Sequence, residues 1–439
     1  MNLFENYRLG LDEILSKKNI NTEELYKELR TFSKSKYTTL SKSQNENYSG
    51  NFSQNLPAQI QGPKVLFSYD KEVLTKHFGE NKDSFENITI GPHPDFNELT
   101  NMDYLNHHCV SVFIDIKGST KLIEKYSLLE VRLIKDSLLT LAIEVSNQFG
   151  GHVQRLQGDG IFLQFVRKGV IPNDAVINAL NAVSILTQFV SVDLAEIMSN
   201  YGLNPLKIRA GIDYGKDDDV LWSYYGVAGC EELTTTSLHT DMAAKLQAKA
   251  FDNSILIGKN IRDVLDLKNE FYDYYKTNEG KEIVYNISSQ FSYPFFVFNW
   301  KEYLFTLPFI WKISGSEKLE IREKDYRLRC FISDEDDSNF EEYYPNSKSI
   351  PKNKKIIFKI YYNQSLYVKK NFETIEWLAY NSGNEATQAR ELLHDFKTEN
   401  NNKTICNSNA AFLGHHYVEC KIIRTHQDNV KLTFPIFVQ

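Results

Sequence analysis

Apolar and polar positions change rhythm several times along the chain, and the changes divide it. Residues 1 to about 31 carry helical spacing at Leu11, Ile14 and Leu15, after which KSKYTTLSKSQNENYSGNFSQN has few large apolar residues and reads as a linker. The pattern sharpens near residue 108. An apolar run predicts a strand over 109–115, followed by helical sequence from Thr120 to about Phe149 that Gly150-Gly151 closes. HVQRLQGDGIFLQF predicts a β-hairpin turning at Gly158-Asp159-Gly160. A second helix is expected from Asn173 to about Ser199, then a strand LKIRAGIDYG (206–215), an acidic loop Asp217-Asp218-Asp219 and a short strand near YYGVAG (224–229). A helix over about 238–251 and a strand SILIG (254–258) complete the series. The order strand, helix, strand, strand, helix, strand is that of a ferredoxin-like α/β sandwich with extensions.

The most apolar stretch, YPFFVFNWKEYLFTLPFIW (Tyr293 to Trp311), is interrupted by Pro294, Lys301, Glu302 and Pro308 and cannot span a bilayer. It reads as buried core or an interdomain surface. From about Lys318 the chain turns to short β-like runs (KKIIFKIYY, HHYVECKIIR, VKLTFPIFV) between polar turns, a mainly-β sandwich pattern with one helical piece near Glu385 to Phe396. Four regions follow: a helical N-terminal segment and polar linker (1–107), a catalytic α/β domain (108–275), a connector (276–317) and a mainly-β C-terminal domain (318–439). No internal repeat is evident.

Composition narrows the function. A chain of 439 residues has room for two or three domains with real cores. A formal net charge of −7 supplies no global field for nucleic acid or an anionic membrane, so an anionic ligand needs local cations or a metal. The five cysteines, Cys109, Cys230, Cys330, Cys406 and Cys420, are scattered and never spaced as CxxC, which argues against a disulfide framework and fits a reducing cytoplasm. MNLFENYRLGLDEILSKK lacks the order of a secretory signal. Cys406, His415, His416 and Cys420 match no standard zinc spacing, and His107-His108 reads as the start of a strand.

The chemistry gathers at two carboxylates. Asp115 ends a strand that reads as buried, where an unpaired charge is costly, and Asp159 sits at the tip of the hairpin expected beside it. With the backbone carbonyl of Ile116 they form an all-oxygen set suited to Mg²⁺ or Mn²⁺. Gly118-Ser119-Thr120 follows at a helix start, where free backbone N–H groups and a partial positive charge suit a triphosphate.

FIDIKGST, RLQGDG and IRAGIDYG, in this order and at these separations, resemble the motifs of the class III nucleotidyl cyclase catalytic domain over roughly residues 108–275. KKNFETIEWLAYNSGNEATQAR and GHHYVEC resemble the adenylyl/guanylyl cyclase sensor C-terminal domain, a pairing similar to the cyclases of bacterial Pycsar antiphage systems. The resemblance implies two divalent ions on Asp115, Asp159 and the Ile116 carbonyl, with in-line attack of the ribose 3′-hydroxyl on the α-phosphorus and loss of pyrophosphate. It places Arg155 at the base-reading position, where an Arg fork, which donates only, suits carbonyl-rich edges such as uracil and cannot accept from the adenine amino group. UTP is the expected substrate, with CTP or a purine nucleotide as alternatives. The helix SLHTDMAAKLQ supplies Asp241 and Lys245, at i, i+4 on one face, where the family has Asn and Arg, and Lys245 is the group expected to stabilise charge on the α-phosphate. Asp241, a carboxylate in place of an amide, departs from the pattern; the second base-reading position falls near Thr234. The resemblance further implies a homodimer with composite sites, and a cyclic-nucleotide-responsive effector downstream. A degenerate domain that binds nucleotide without chemistry is the rival class.

Overall fold

The computed structural model describes Arg8, Leu9, Asp12 and residues 71–439, apart from 101–102, 228, 278, 313–318, 322–324, 335–338, 398–399, 401 and 426. The helical spacing and polar linker expected near the N-terminus lie outside the described residues, those three positions excepted.

Helix α1 (Lys71–Phe78) and strand β1 (Tyr104–Asn106) lead into β2 (Cys109–Ile116), which lies inside a seven-stranded sheet. After β2 come α2 (Leu128–Gln148), the hairpin β3 (Gly151–Gln157) and β4 (Gly160–Phe165), and α3 (Pro172–Phe189). Then follow β5 (Ile208–Gly215), the hairpin β6 (Leu221–Val227) and β7 (Cys230–Thr236), α4 (Leu238–Lys249), β8 (Ser254–Gly258) and α5 (Lys259–Leu265). Two further strands, β9 (Tyr272–Tyr274) and β10 (Phe295–Phe298), complete the sheet in the order β3-β4-β2-β5-β8-β10-β9. β2 is antiparallel to both β4 and β5, and β5 is parallel to β8, the pairing of a ferredoxin-like sheet.

Alternation along β2 sorts its side chains onto two faces. Val110, Val112, Ile114 and Ile116 enter the main core with Leu138, Leu141 and Val145 of α2 and with the buried residues of α3. Ser111, Phe113 and Asp115 point to the other face, which carries α4. A one-residue slip would exchange the two sets, so the apolar pattern itself assigns Asp115 to the α4 side. There α4 lies flush on β5. A Cβ at Gly211 would stand 2.1 Å from the Ala243 carbonyl oxygen, so IRAGIDYG needs its central glycine for this approach.

Several expectations are refined. The helix expected from Thr120 to Phe149 is broken: a 3-10 turn (Ser119–Lys121) and Leu122–Lys125 precede α2. The segment from Pro172 to Asn200 passes through a π-helical stretch at Val190–Leu194. It is the one described helix long and apolar enough to cross a membrane, and it is packed inside the protein. YYGVAG is part of a longer hairpin whose second strand, CEELTTT, is too polar to read as a strand; with β1 it forms a separate three-stranded sheet. The helix expected over Glu385–Phe396 is α6, Gly383–Ala389, ending where Arg390 takes a positive φ of 61°. Leu393–Asp395 then returns as a strand beside Leu378–Tyr380.

The C-terminal region forms two five-stranded sheets around Phe358, Trp377, Cys406, Cys420 and Phe434. Cys406 and Cys420 are packing residues, and both ring nitrogens of His416 bond to backbone, so no zinc set forms there. The two regions dock directly. Asp174 accepts from the Ser349 amide at 2.7 Å and hydroxyl at 2.6 Å, Asp266 accepts from the Asn384 amide at 2.7 Å, and Phe437 enters the core beneath the large sheet. The apolar stretch from Tyr293 to Trp311 supplies buried Phe295, Phe296, Phe298, Trp300 and Tyr303, as core and at the junction.

Candidate active site

Asp115 stands opposite Arg209 in the pairing of β2 with β5. Arg209 donates to Asp115 Oδ2 from Nη2 at 2.7 Å and from Nε at 3.1 Å, and its Nη1 reaches the Ala248 carbonyl at 3.1 Å. Gln247, in the last turn of α4, adds a third bond to the same oxygen at 3.3 Å. The carboxylate that looked costly in a buried strand is thus half-buried and answered by a cation across the sheet.

The hairpin brings in Asp159. Ile114 pairs with Ile161 and Gln157 with Gly160, so the turn lies beside the end of β2, and a Cβ at Gly160 would be 3.6 Å from Asp115 Oδ1. Lys135 of α2 donates to Asp159 Oδ1 at 3.3 Å, while Oδ2 is buried without a hydrogen-bond partner. The two carboxyls split in acidity. Burial, and then Asp159 beside it, lift Asp115 above its ordinary value against the pull of Arg209. Burial works upward on Asp159 too, but the Ser119 hydroxyl, Asp115 and Lys135 together hold it below the usual range. Gly118 is left-handed, with φ 73°, and turns the chain out of β2 into the 3-10 turn that begins at Ser119. Thr120 is exposed. The helical start at Ser119–Lys121 and Leu122–Lys125 is short, so the triphosphate argument rests there on backbone N–H groups and not on a long helix dipole.

Arg155 of β3 reaches β7, the strand that carries Thr234, through Glu232. The register of β3 with β4 slips at Gln154, a β-bulge that turns the buried Gln154 toward β7. Arg155, about two-fifths exposed, holds Glu232 of β7 with Nε at 2.9 Å and with a second bond from Nη2. Gln154 Nε2 donates to the same carboxylate at 2.6 Å. The Arg155 fork and the Gln154 amide hold Glu232 below the usual carboxylate range. Glu232 and Thr234 are two apart on one strand and share its face.

Asp241 and Lys245 are exposed on α4, whose Met242, Ala243 and Leu246 face the sheet. Neither makes a side-chain hydrogen bond or ion pair among the described residues, and within one chain they are not joined to Asp115 and Asp159. Sequence reasoning passed over Arg209, Lys135, Gln247, Gln154 and Glu232. Arg209 carried a signal, as the charged position in an otherwise apolar strand motif; Glu232 lay in a strand that was not read as one. His107, His108 and Asp217 have candidate ligand atoms within 4.8 Å, but the His108 amide donates to Asp217 at 2.7 Å, which accounts for them as a tie between the entry to β2 and the turn after β5.

Residues 299–438 match the adenylyl/guanylyl and SMODS C-terminal sensor domain. The chain is 36% identical over 367 residues to a cytidylate cyclase of Staphylococcus aureus, spanning 82% of each chain. The chain is a nucleotidyl cyclase. It belongs to the class III cyclases that carry this sensor domain. A cytidylate cyclase of Escherichia coli is 34% identical to this cyclase over 293 residues, 61% of this chain and 59% of that one. Among solved structures the adenylyl cyclase CyaB of P. aeruginosa is similar at 16% identity and a TM-score of 0.39, over 45% of this cyclase and 96% of that chain.

Proposed function

We propose that this cyclase converts CTP to 3′,5′-cyclic CMP and pyrophosphate. The reading is carried by the Glu232 carboxylate held against Arg155. Cytosine presents an amino donor at C4 beside acceptors at N3 and O2, and a carboxylate is the partner that takes the N4 hydrogens. Arg155 can only donate and ionised Glu232 can only accept, so the pair offers both halves of that edge. Two relatives named cytidylate cyclase support it. UTP is the second reading, favoured by the donor-only fork of Arg155 if Glu232 serves that fork alone.

Asp115 and Asp159, with the Ile116 carbonyl, would hold the divalent ions. The fit rests on the donor set, all oxygen, and on Asp159 Oδ2, which is buried and unpartnered. When bound, two such ions make the 3′-hydroxyl more acidic and neutralise the triphosphate. The bond from O3′ to the α-phosphorus forms as the bond from the α-phosphorus to the bridging oxygen breaks, and the hydroxyl proton leaves to solvent. Arg209, relieved of its charge on Asp115, has its fork available for phosphate oxygens, and the backbone at Gly118-Ser119-Thr120 faces the same anion. Lys245 would act from the facing subunit of a homodimer, on charge developing at the α-phosphate. Asp241, one helical turn earlier on the same face, would accept from a substrate hydroxyl. The product would act as a signal for a cyclic-nucleotide-responsive effector.

The test is product identification after incubating the full chain with each of the four nucleoside triphosphates and Mn²⁺. Cyclic CMP as the dominant product is expected. Cyclic UMP alone would establish the second reading, and no product from any triphosphate would leave a nucleotide-binding module.

A further inference from the structure

Asp213 of β5 is a carboxylate with 0% exposure, away from the pair at Asp115 and Asp159. Its Oδ1 accepts from the Tyr214 amide at 2.9 Å and from the Tyr293 hydroxyl at 3.0 Å, and its Oδ2 lies 3.0 Å from His239 Nδ1. The proton of His239 can be placed. Asn260 Nδ2 donates to the Tyr214 carbonyl at 2.9 Å, which fixes that amide's orientation, and the same nitrogen lies 3.2 Å from His239 Nε2. His239 Nε2 therefore accepts from Asn260, and the Nδ1–H donates to Asp213 Oδ2. Packing around the group is tight: a Cβ at Gly258 would stand 2.1 Å from Asp213 Oδ1.

The network joins three parts of the molecule. Asp213 belongs to the central sheet. His239 lies in the first turn of α4, next to Thr240, whose hydroxyl bonds Ser111 of β2 and Thr235 of β7 at 2.9 Å each. Tyr293 precedes β10, the strand after which the chain enters the matched C-terminal domain. At its other end α4 delivers Gln247 to Asp115 and the Ala248 carbonyl to Arg209. A helix of 12 residues is a rod about 18 Å long, so its register on the sheet, set at the first turn, sets where Lys245 and Gln247 lie.

We propose that Asp213, His239 and Tyr293 are positioning residues, which hold α4 in register for cyclisation and tie that register to the segment entering the C-terminal domain. This rests on the role given to α4 under the proposed function. A buried carboxylate held by three directed donors is a costly way to pack a core, and it fixes a geometry that apolar side chains would leave adjustable.

The experiment uses the full chain with His239→Ala, His239→Gln and Tyr293→Phe, read by steady-state kinetics on the preferred triphosphate, Mn²⁺ binding and amide hydrogen exchange. Loss of one hydrogen bond to the carboxylate should lower kcat about tenfold or more with KM changed less than about threefold. Exchange should rise in 240–249 and stay unchanged in β2 and α3, with Mn²⁺ affinity unchanged. His239→Gln, whose amide can still donate to Asp213, should recover most of the kcat lost in His239→Ala. Unchanged kcat, no advantage of Gln over Ala, or loss of protection spread through the core would overturn the proposal. Should His239→Ala fail to fold, Tyr293→Phe, which removes one hydroxyl, decides it. If the wild type cyclises no triphosphate, the functional reading fails, and the exchange pattern alone still tests the positioning.

Discussion

Asp115 and Arg209 face each other across β2 and β5, with Nη2 2.7 Å from Oδ2, so without divalent ions the guanidinium holds one of the two site carboxylates. A cation bound at Asp115 must compete with that contact. Arg209→Met should therefore tighten Mn²⁺ binding in the absence of nucleotide while raising KM for the triphosphate, because the same fork is lost to the phosphates. Titration of free Mn²⁺ by electron paramagnetic resonance, beside steady-state kinetics, checks both halves. Weaker Mn²⁺ binding in the variant would show that Arg209 orients Asp115 instead of competing for it.

Asp159→Asn keeps shape and removes charge. Its Oδ1 partner Lys135 is a quarter exposed, so losing that pair should shift the melting temperature by less than about 3 °C. Turnover should fall to background. Substantial residual activity would remove Asp159 from the metal set.

Much of this was legible in the chain. FIDIKGST and RLQGDG place a carboxylate at a strand end and another at a hairpin tip, and strand pairing alone brings those two places together. What was not legible depended on partners distant in sequence. Arg209 answers Asp115 across 94 residues, and Glu232 answers Arg155 across 77. Neither register follows from local pattern. CEELTTT also hides its strand, because Leu233 is its one large apolar residue and the burial comes mainly from Trp222 on the partner strand. The ending of α6 at Arg390 was missed for a related reason: Leu392 and Leu393 extend the helical spacing, but the chain there leaves the helix to pair with Tyr380.

Glu232→Gln replaces an acceptor by an amide that also donates. If Glu232 takes the cytosine amino hydrogens, the variant should lose preference for CTP over UTP by about 1–3 kcal/mol, or roughly fivefold to 150-fold in the ratio of kcat/KM values. Competition between the two triphosphates in one reaction gives that ratio directly. An unchanged ratio would return Glu232 to the role of a clamp on Arg155.

Acid should destabilise the fold through buried histidines. Burial pushes His108 down to about 4, and His416 to about 4 as well, while His93, His152 and His415 also fall below the ordinary 6.5. The folded state then binds fewer protons than the unfolded chain between these values. Stability from these groups is present above about pH 6.5 and lost as pH falls toward 4. Asp213, raised by burial, works in the opposite direction, so a single-residue comparison isolates the effect. The stability gap between wild type and His416→Gln should shrink as pH falls through this window in denaturant titrations. A constant gap would mean that His416 does not titrate on unfolding.

The site should be composite. Asp115 and Asp159 meet at one end of the sheet, whereas Lys245 is exposed on α4 and its side chain makes no hydrogen bond or ion pair among the described residues. A two-fold axis would set the carboxylates of one subunit against Lys245 and Arg155 of the other, and would do so twice. Asp159→Ala and Lys245→Ala should each be inactive alone, since every site in either homodimer lacks one member. Mixed and allowed to exchange, they form heterodimers in which one site carries both lesions and the other neither. Random pairing of equal amounts puts half the molecules in heterodimers with one good site each, so about a quarter of wild-type activity should return. Exchange is verified with two affinity tags, so that absence of activity is informative. If tagged heterodimers form and remain inactive, or if the active species sediments as a monomer, then Lys245 does not serve the facing site, and the cation acting on the α-phosphate must be sought within one chain, beginning with Arg209.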